Sequence, residues 1–109
     1  MFVFLARIAR FYPSRYNFVI MEIQLEETNN KGRAFFAEKA EMTYSRAGDR
    51  LLIIDHTWVS EEFRGKGVRK LLLNRLVKYA RDEKMKILPL CPFAKDIFNK
   101  EVELADVLR

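Results

Sequence analysis

The sequence predicts an α/β (α+β) domain on one mixed sheet, with antiparallel strands first and a strand–loop–helix–strand crossover after them. Three patterns carry that expectation. Residues 21–26 alternate apolar and polar side chains, as a half-buried strand does. Leu51-Leu52-Ile53-Ile54 and Lys86-Ile87-Leu88-Pro89-Leu90 are short apolar runs suited to a buried sheet centre. Between them Val68, Leu72, Leu76 and Tyr79/Ala80 recur at helical spacing and form one apolar stripe. A helix joining two strands implies that those strands run parallel.

Residues 1–20 differ in texture from the rest. They are aromatic, acid-free and carry Arg7, Arg10 and Arg15, and Pro13 interrupts any helix. Arg7 and Arg10 break the apolar stretch that a secretory signal needs; an Arg-bearing organellar presequence is a second reading. The plainer reading is an N-terminal extension, with Met21 as the functional beginning and one domain over 21–109.

Within that domain, Thr28-Asn29-Asn30-Lys31-Gly32 is turn chemistry. Residues 34–44 supply one strand or a bent pair, with Phe35, Phe36, Ala40, Met42 and Tyr44 as apolar positions. Ala47-Gly48-Asp49 marks a hairpin turn. The strand opening at Leu51 and running to Val59 is apolar on both faces at its start, which places it centrally. A loop follows over 60–67, then the striped helix with Lys70, Asn74, Lys78 and Arg81 outward. Pro92 suits a first helical turn, opening a short helix to about Lys100. The last nine residues allow one short element.

Composition narrows the functional classes. A chain of 109 residues, 50% apolar and 32% charged, allows one globular domain. Nothing approaches the roughly 18 unbroken apolar residues of a membrane span. One cysteine and one histidine exclude an internal disulfide and argue against a metal site, and a single free thiol suits the cytoplasm. The net charge is +5, but three of the 20 basic side chains and none of the 15 acidic ones lie in residues 1–20. The domain itself is nearly neutral, which argues against a nucleic-acid partner.

The segment richest in chemistry is VSEEFRGKGVRKLLL, residues 59–73. A central strand ends, a turn with Gly65 and Gly67 follows, and a helix starts. The first N–H groups of a helix have no internal partners and sit at the positive end of its dipole. Such a turn is an anion site, and Arg64, Lys66, Arg69 and Lys70 surround it with positive charge. It is not a P-loop, because no Ser or Thr follows the Gly-Lys. It is not a dinucleotide fingerprint either, because Lys70 stands at the third glycine.

Residues 58–68, Trp-Val-Ser-Glu-Glu-Phe-Arg-Gly-Lys-Gly-Val, resemble the acyl-CoA motif of the GNAT superfamily of N-acyltransferases. In that family hydrophobic-Val-x-Pro-x-aromatic-Arg-Gly-x-Gly-hydrophobic-Gly precedes a helix, and its backbone amides cradle the CoA pyrophosphate. The resemblance implicates Arg64, Gly65, Lys66, Gly67, Val68 and Arg69, with Arg69 where the family has a small residue. Lys70 adds charge, while Trp58, Val59 and Phe93 pack core or line the pantetheine channel. The family continues with Asn-x-x-Ala-x-x-x-Tyr on the next helix. Here Ala94 fits, Cys91 stands for the asparagine and Phe98 for the tyrosine, removing a phenol that protonates the departing CoA thiolate in many members. With Ile54-Asp55-His56-Thr57 and Cys91-Pro92-Phe93, the chain resembles a short single-domain branch over residues 21–109, without the usual closing hairpin.

Two side chains are candidates for catalysis. His56, late in the strand entering the loop, is suited to take a proton from an ammonium substrate, or to hold its strand neighbours in place. Cys91 ends the neighbouring parallel strand, where open α/β sheets place ligands, and a following helix start favours its thiolate. Three roles stay open for it: nucleophile towards an acetyl thioester, proton donor in place of the tyrosine, or inert buried thiol. The expected function is transfer of acetyl from acetyl-CoA to an unidentified amine, without a metal, a nucleic acid or a membrane, by a monomer or weak homodimer. The alternative is a non-catalytic acyl-CoA-binding or sensing module.

Overall fold

The computed structural model describes residues 22–109. The expected N-terminal extension over 1–20 and the expected start at Met21 therefore lie outside the described residues. The first hairpin pairs β1 (Gln24–Thr28) with β2 (Lys31–Phe36). Its turn is shorter than the sequence suggests, because Asn29 adopts a φ of 58°, a left-handed conformation that asparagine tolerates. The strands thus extend to Thr28 and Lys31. The segment 34–44 resolves into a pair, with β3 (Ala40–Ala47) antiparallel to β2.

After the Gly48 turn, β4 (Leu51–Val59) pairs antiparallel with β3, and α1 (Val68–Asp82) crosses to β5 (Lys86–Pro89), parallel to β4. α2 (Pro92–Lys100) follows, with Pro92 in its first turn. The sheet order is β1-β2-β3-β4-β5. Residues Val102–Val107 form a 3₁₀ turn, not a hairpin, and Leu108 bridges to Ile87 on the outer edge of β5.

One core holds the fold. Ala34, Met42, Tyr44, Leu52 and Ile54 on one sheet face meet Val68, Leu72, Leu73, Leu76 and Ala80 of α1 and Ala94 and Phe98 of α2. The predicted stripe is the buried one. Leu72 and Leu76 are fully buried, and each contributes about 1.5–3 kcal/mol of apolar burial. β4 is flanked on both sides, as expected, but its two faces differ. Leu52 and Ile54 are buried, whereas Ile53 is only half-buried and Asp55, His56 and Trp58 are exposed. Both helices contribute to the same core, so the other sheet face is not covered by them.

Candidate functional site

The turn entering α1 builds the site from its backbone outward. A 3₁₀ turn (Glu61–Phe63) leads to Arg64, whose Nε donates to the Val59 carbonyl at 3.2 Å and so fixes the guanidinium against the end of β4. Gly65 and Gly67 hold φ of 76° and 81°, a region that disfavours any residue with a Cβ. Gly67 caps α1 without a side chain, and the first turn of the helix contains no acid. The amides of Val68, Arg69 and Lys70 precede the first helical acceptor bond, Leu71 N–H to Gly67 O. Two basic side chains, Arg69 and Lys70, thus stand at the positive end of a dipole, an arrangement that disfavours both cations; the Glu101 carboxylate offsets it at Lys70.

A cleft of about 500 Å³ opens at this turn, lined by Val59, Phe63, Arg64, Gly65, Gly67, Val68, Arg69, Lys70, Phe93 and Ile97. Most of the predicted binding residues meet there. The Arg69 guanidinium lies over the Phe93 ring, 5.8 Å from its centroid. Lys70 is tied to Glu101 at the end of α2, bracing one wall. Phe63 and Ile97 were missed. Phe63 is the aromatic of the glycine motif itself, and Ile97 lies one helical turn beyond Phe93; both signals were present. Lys66, Ala94 and Trp58 do not line the cleft, and Ala94 is fully buried on the core side of α2.

Beside the cleft the sheet parts. The β4–β5 ladder ends at Ile54–Pro89, where Leu90 and Cys91 N–H both donate to the Ile54 carbonyl at 3.0 and 3.3 Å. Beyond that point no strand pairs with β4 on this side among the described residues. The same place carries a bulge: Tyr44 opposes Ile54 and Thr43 opposes His56, leaving Asp55 as the extra residue. Cross-strand partners project to one face. Thr57 opposes the buried Met42 and therefore points towards the helices, while His56 opposes Thr43 and points to the open face.

The two catalytic candidates are accordingly placed apart. Cys91 is 5% exposed and meets Thr57, with Oγ1 and Sγ 3.0 Å apart. His56 is exposed on the other side of the sheet. The arrangement can hold a polyanion at the helix start, run an apolar or amide-bearing chain along the parted strands, and present a thiol beside them. Among the described residues no cluster of His, Cys, Asp and Glu is suited to hold a metal, and no helix is long and apolar enough to cross a membrane.

The chain and its fold are similar to known proteins. A family model described as GCN5-related N-acetyl-transferase matches residues 28–107. A GCN5-like protein from Staphylococcus aureus, solved by NMR, is 37% identical and superposes with a TM-score of 0.62 over 79% of this chain and 87% of that one. A ribosomal-protein-alanine N-acetyltransferase from Brucella melitensis biovar Abortus 2308 is 18% identical, with a TM-score of 0.55 over 67% of this chain and 62% of its own; that likeness is one of fold. No curated protein matches the chain.

Proposed function

Because the chain belongs to the GCN5-related N-acetyltransferase family, we propose that it binds acetyl-CoA at the start of α1 and transfers the acetyl group to an amine. The observation that carries this reading is the acid-free first turn of α1, opening into an apolar cleft beside parted strands. The amides of the 65–70 turn, with Arg64 and Arg69, take the pyrophosphate, while Lys66, outside the cleft lining, and Lys70, held by Glu101, add positive charge around it. Pantetheine amides bond the unpaired side of β4, with Val59 and Phe93 along the channel.

The thioester then reaches Cys91. Sγ attacks the carbonyl carbon, the C–S bond to CoA breaks, and the proton given up by Cys91 ends on the CoA thiolate. An amine next attacks the carbonyl carbon of the acyl-cysteine, the carbon–Sγ bond breaks, and the proton shed by the amine returns to the Cys91 sulfur; His56, exposed on the opposite face of the sheet, is not placed to take it. Phe98, buried in the core, supplies no phenol for an alternative proton donor. One observation favours the rival reading, a non-catalytic acyl-CoA-binding module: Cys91 and His56 project to opposite faces. A free thiol fits the reducing cytoplasm in either case.

Calorimetry with acetyl-CoA followed by intact mass tests the reading. Binding is expected, with a one-acetyl adduct that Cys91→Ala abolishes while affinity is retained. Binding without an adduct leaves direct transfer or sensing, and absence of binding overturns the assignment.

A further inference from the structure

We propose that Thr57 is a positioning residue for the Cys91 thiol, its hydroxyl aiming the sulfur across the parted strands and donating to it as negative charge develops. This rests on the reading of Cys91 as the acetyl-accepting nucleophile. The geometry that points to it is a single contact, Thr57 Oγ1 to Cys91 Sγ at 3.0 Å, just past the last backbone pair between β4 and β5. Thr57 Oγ1 has no other hydrogen bond among the described residues.

The bulge at Asp55 decides which polar side chain meets the thiol. In an unbroken strand, alternation from the buried Ile54 would turn His56 inward and Thr57 outward. The extra residue reverses this, so that a hydroxyl rather than an imidazole faces Cys91. The sulfur is anchored from below, because the Cys91 N–H is held by the Ile54 carbonyl and Pro92 fixes the chain that follows. Besides the start of α2, for which Cys91 is the cap residue, its surroundings are the apolar core, and its side chain makes no capping hydrogen bond there. A hydroxyl serves both states: it accepts from S–H, then rotates and donates to the sulfur when the proton leaves. In acetyl transfer the Sγ–carbon bond forms as the CoA C–S bond breaks, and the Cys91 proton ends on CoA, so the hydroxyl is neither consumed nor altered.

Cys91 is the one cysteine of the chain, so iodoacetamide alkylation of the full-length protein reports it alone. Thr57→Val is expected to slow alkylation, and adduct formation from acetyl-CoA, by about tenfold, with Thr57→Ser restoring most of the rate. A merely structural role gives the opposite sign, since loosening the packing exposes a buried thiol and speeds its alkylation. Equal or faster alkylation in the valine variant, or no recovery with serine, overturns the proposal. Because alkylation needs no acetyl-CoA, slow alkylation of Thr57→Val alongside a wild type that never forms an adduct would retain the hydrogen bond's role and reject acetyl transfer through Cys91.

Discussion

Three donors converge on the Glu27 carboxylate: Tyr44 Oη at 2.7 Å, Tyr79 Oη at 2.9 Å and Arg46 Nη1 at 3.1 Å. Burial opposes the charge, but the hydrogen bonds from Tyr44, Tyr79 and Arg46 outweigh it and hold the carboxyl below its ordinary 4.5. Burial, reinforced by the Glu27 charge, pushes the Tyr44 phenol far up, so it remains a donor. A carboxyl lowered by folding contributes stability above its unfolded pKa and loses it as pH falls through the folded value. Glu27→Gln is expected to cost about 1 kcal/mol at pH 7, a value tempered by partial exposure. The gap in melting temperature between the two proteins should close below about pH 4.5; a gap of equal size at pH 3 and pH 7 would show that the charge contributes nothing. Nothing in the sequence marks Glu27, because its partners lie 17, 19 and 52 residues away along the chain. His56 and Cys91 were legible as chemistry-bearing residues, but their sides of the sheet were not.

The turn into α1 shows what a single element contributes. A Cβ added at Gly67 would meet nothing within 4 Å, so alanine there brings no clash. Its effect is confined to the left-handed backbone, a cost of about 1 kcal/mol. Gly67→Ala is therefore expected to lower the melting temperature slightly while weakening acetyl-CoA binding in calorimetry more than stability alone explains, because the first-turn amides shift. Unchanged affinity would place the anion elsewhere. This element was well marked in the sequence: paired glycines, clustered cations and the onset of helical periodicity coincide within a few residues. The wall supplied by α2 was less so, since Ile97 reaches the cleft only because α2 packs beside the start of α1.

Across the molecule, β-strands and both helices share one core, so local damage there is felt globally. Leu72, fully buried at the middle of the stripe, tests this. Leu72→Ala is expected to cost about 2–5 kcal/mol, read as a lower urea midpoint at unchanged slope. Two separate transitions would show that the sheet and helices unfold independently. The open face, with Trp58 and His56 exposed, answers to a different logic: both helices lie on the other side, so apolar residues at the start of β4 are buried on one face only.

The main strands and helices, their order, the parallel pairing of β4 with β5 and the glycine turn with its clustered cations were determined by the sequence, because each rests on a local period or on glycine and proline chemistry read within a few residues. Which side chains share a face was decided only by the tertiary structure. One unmatched residue at Asp55 inverts the alternation that follows it, placing Thr57 rather than His56 beside Cys91. A bulge forms through pairing with another strand, so its position is a property of the sheet and leaves no period in the chain that carries it.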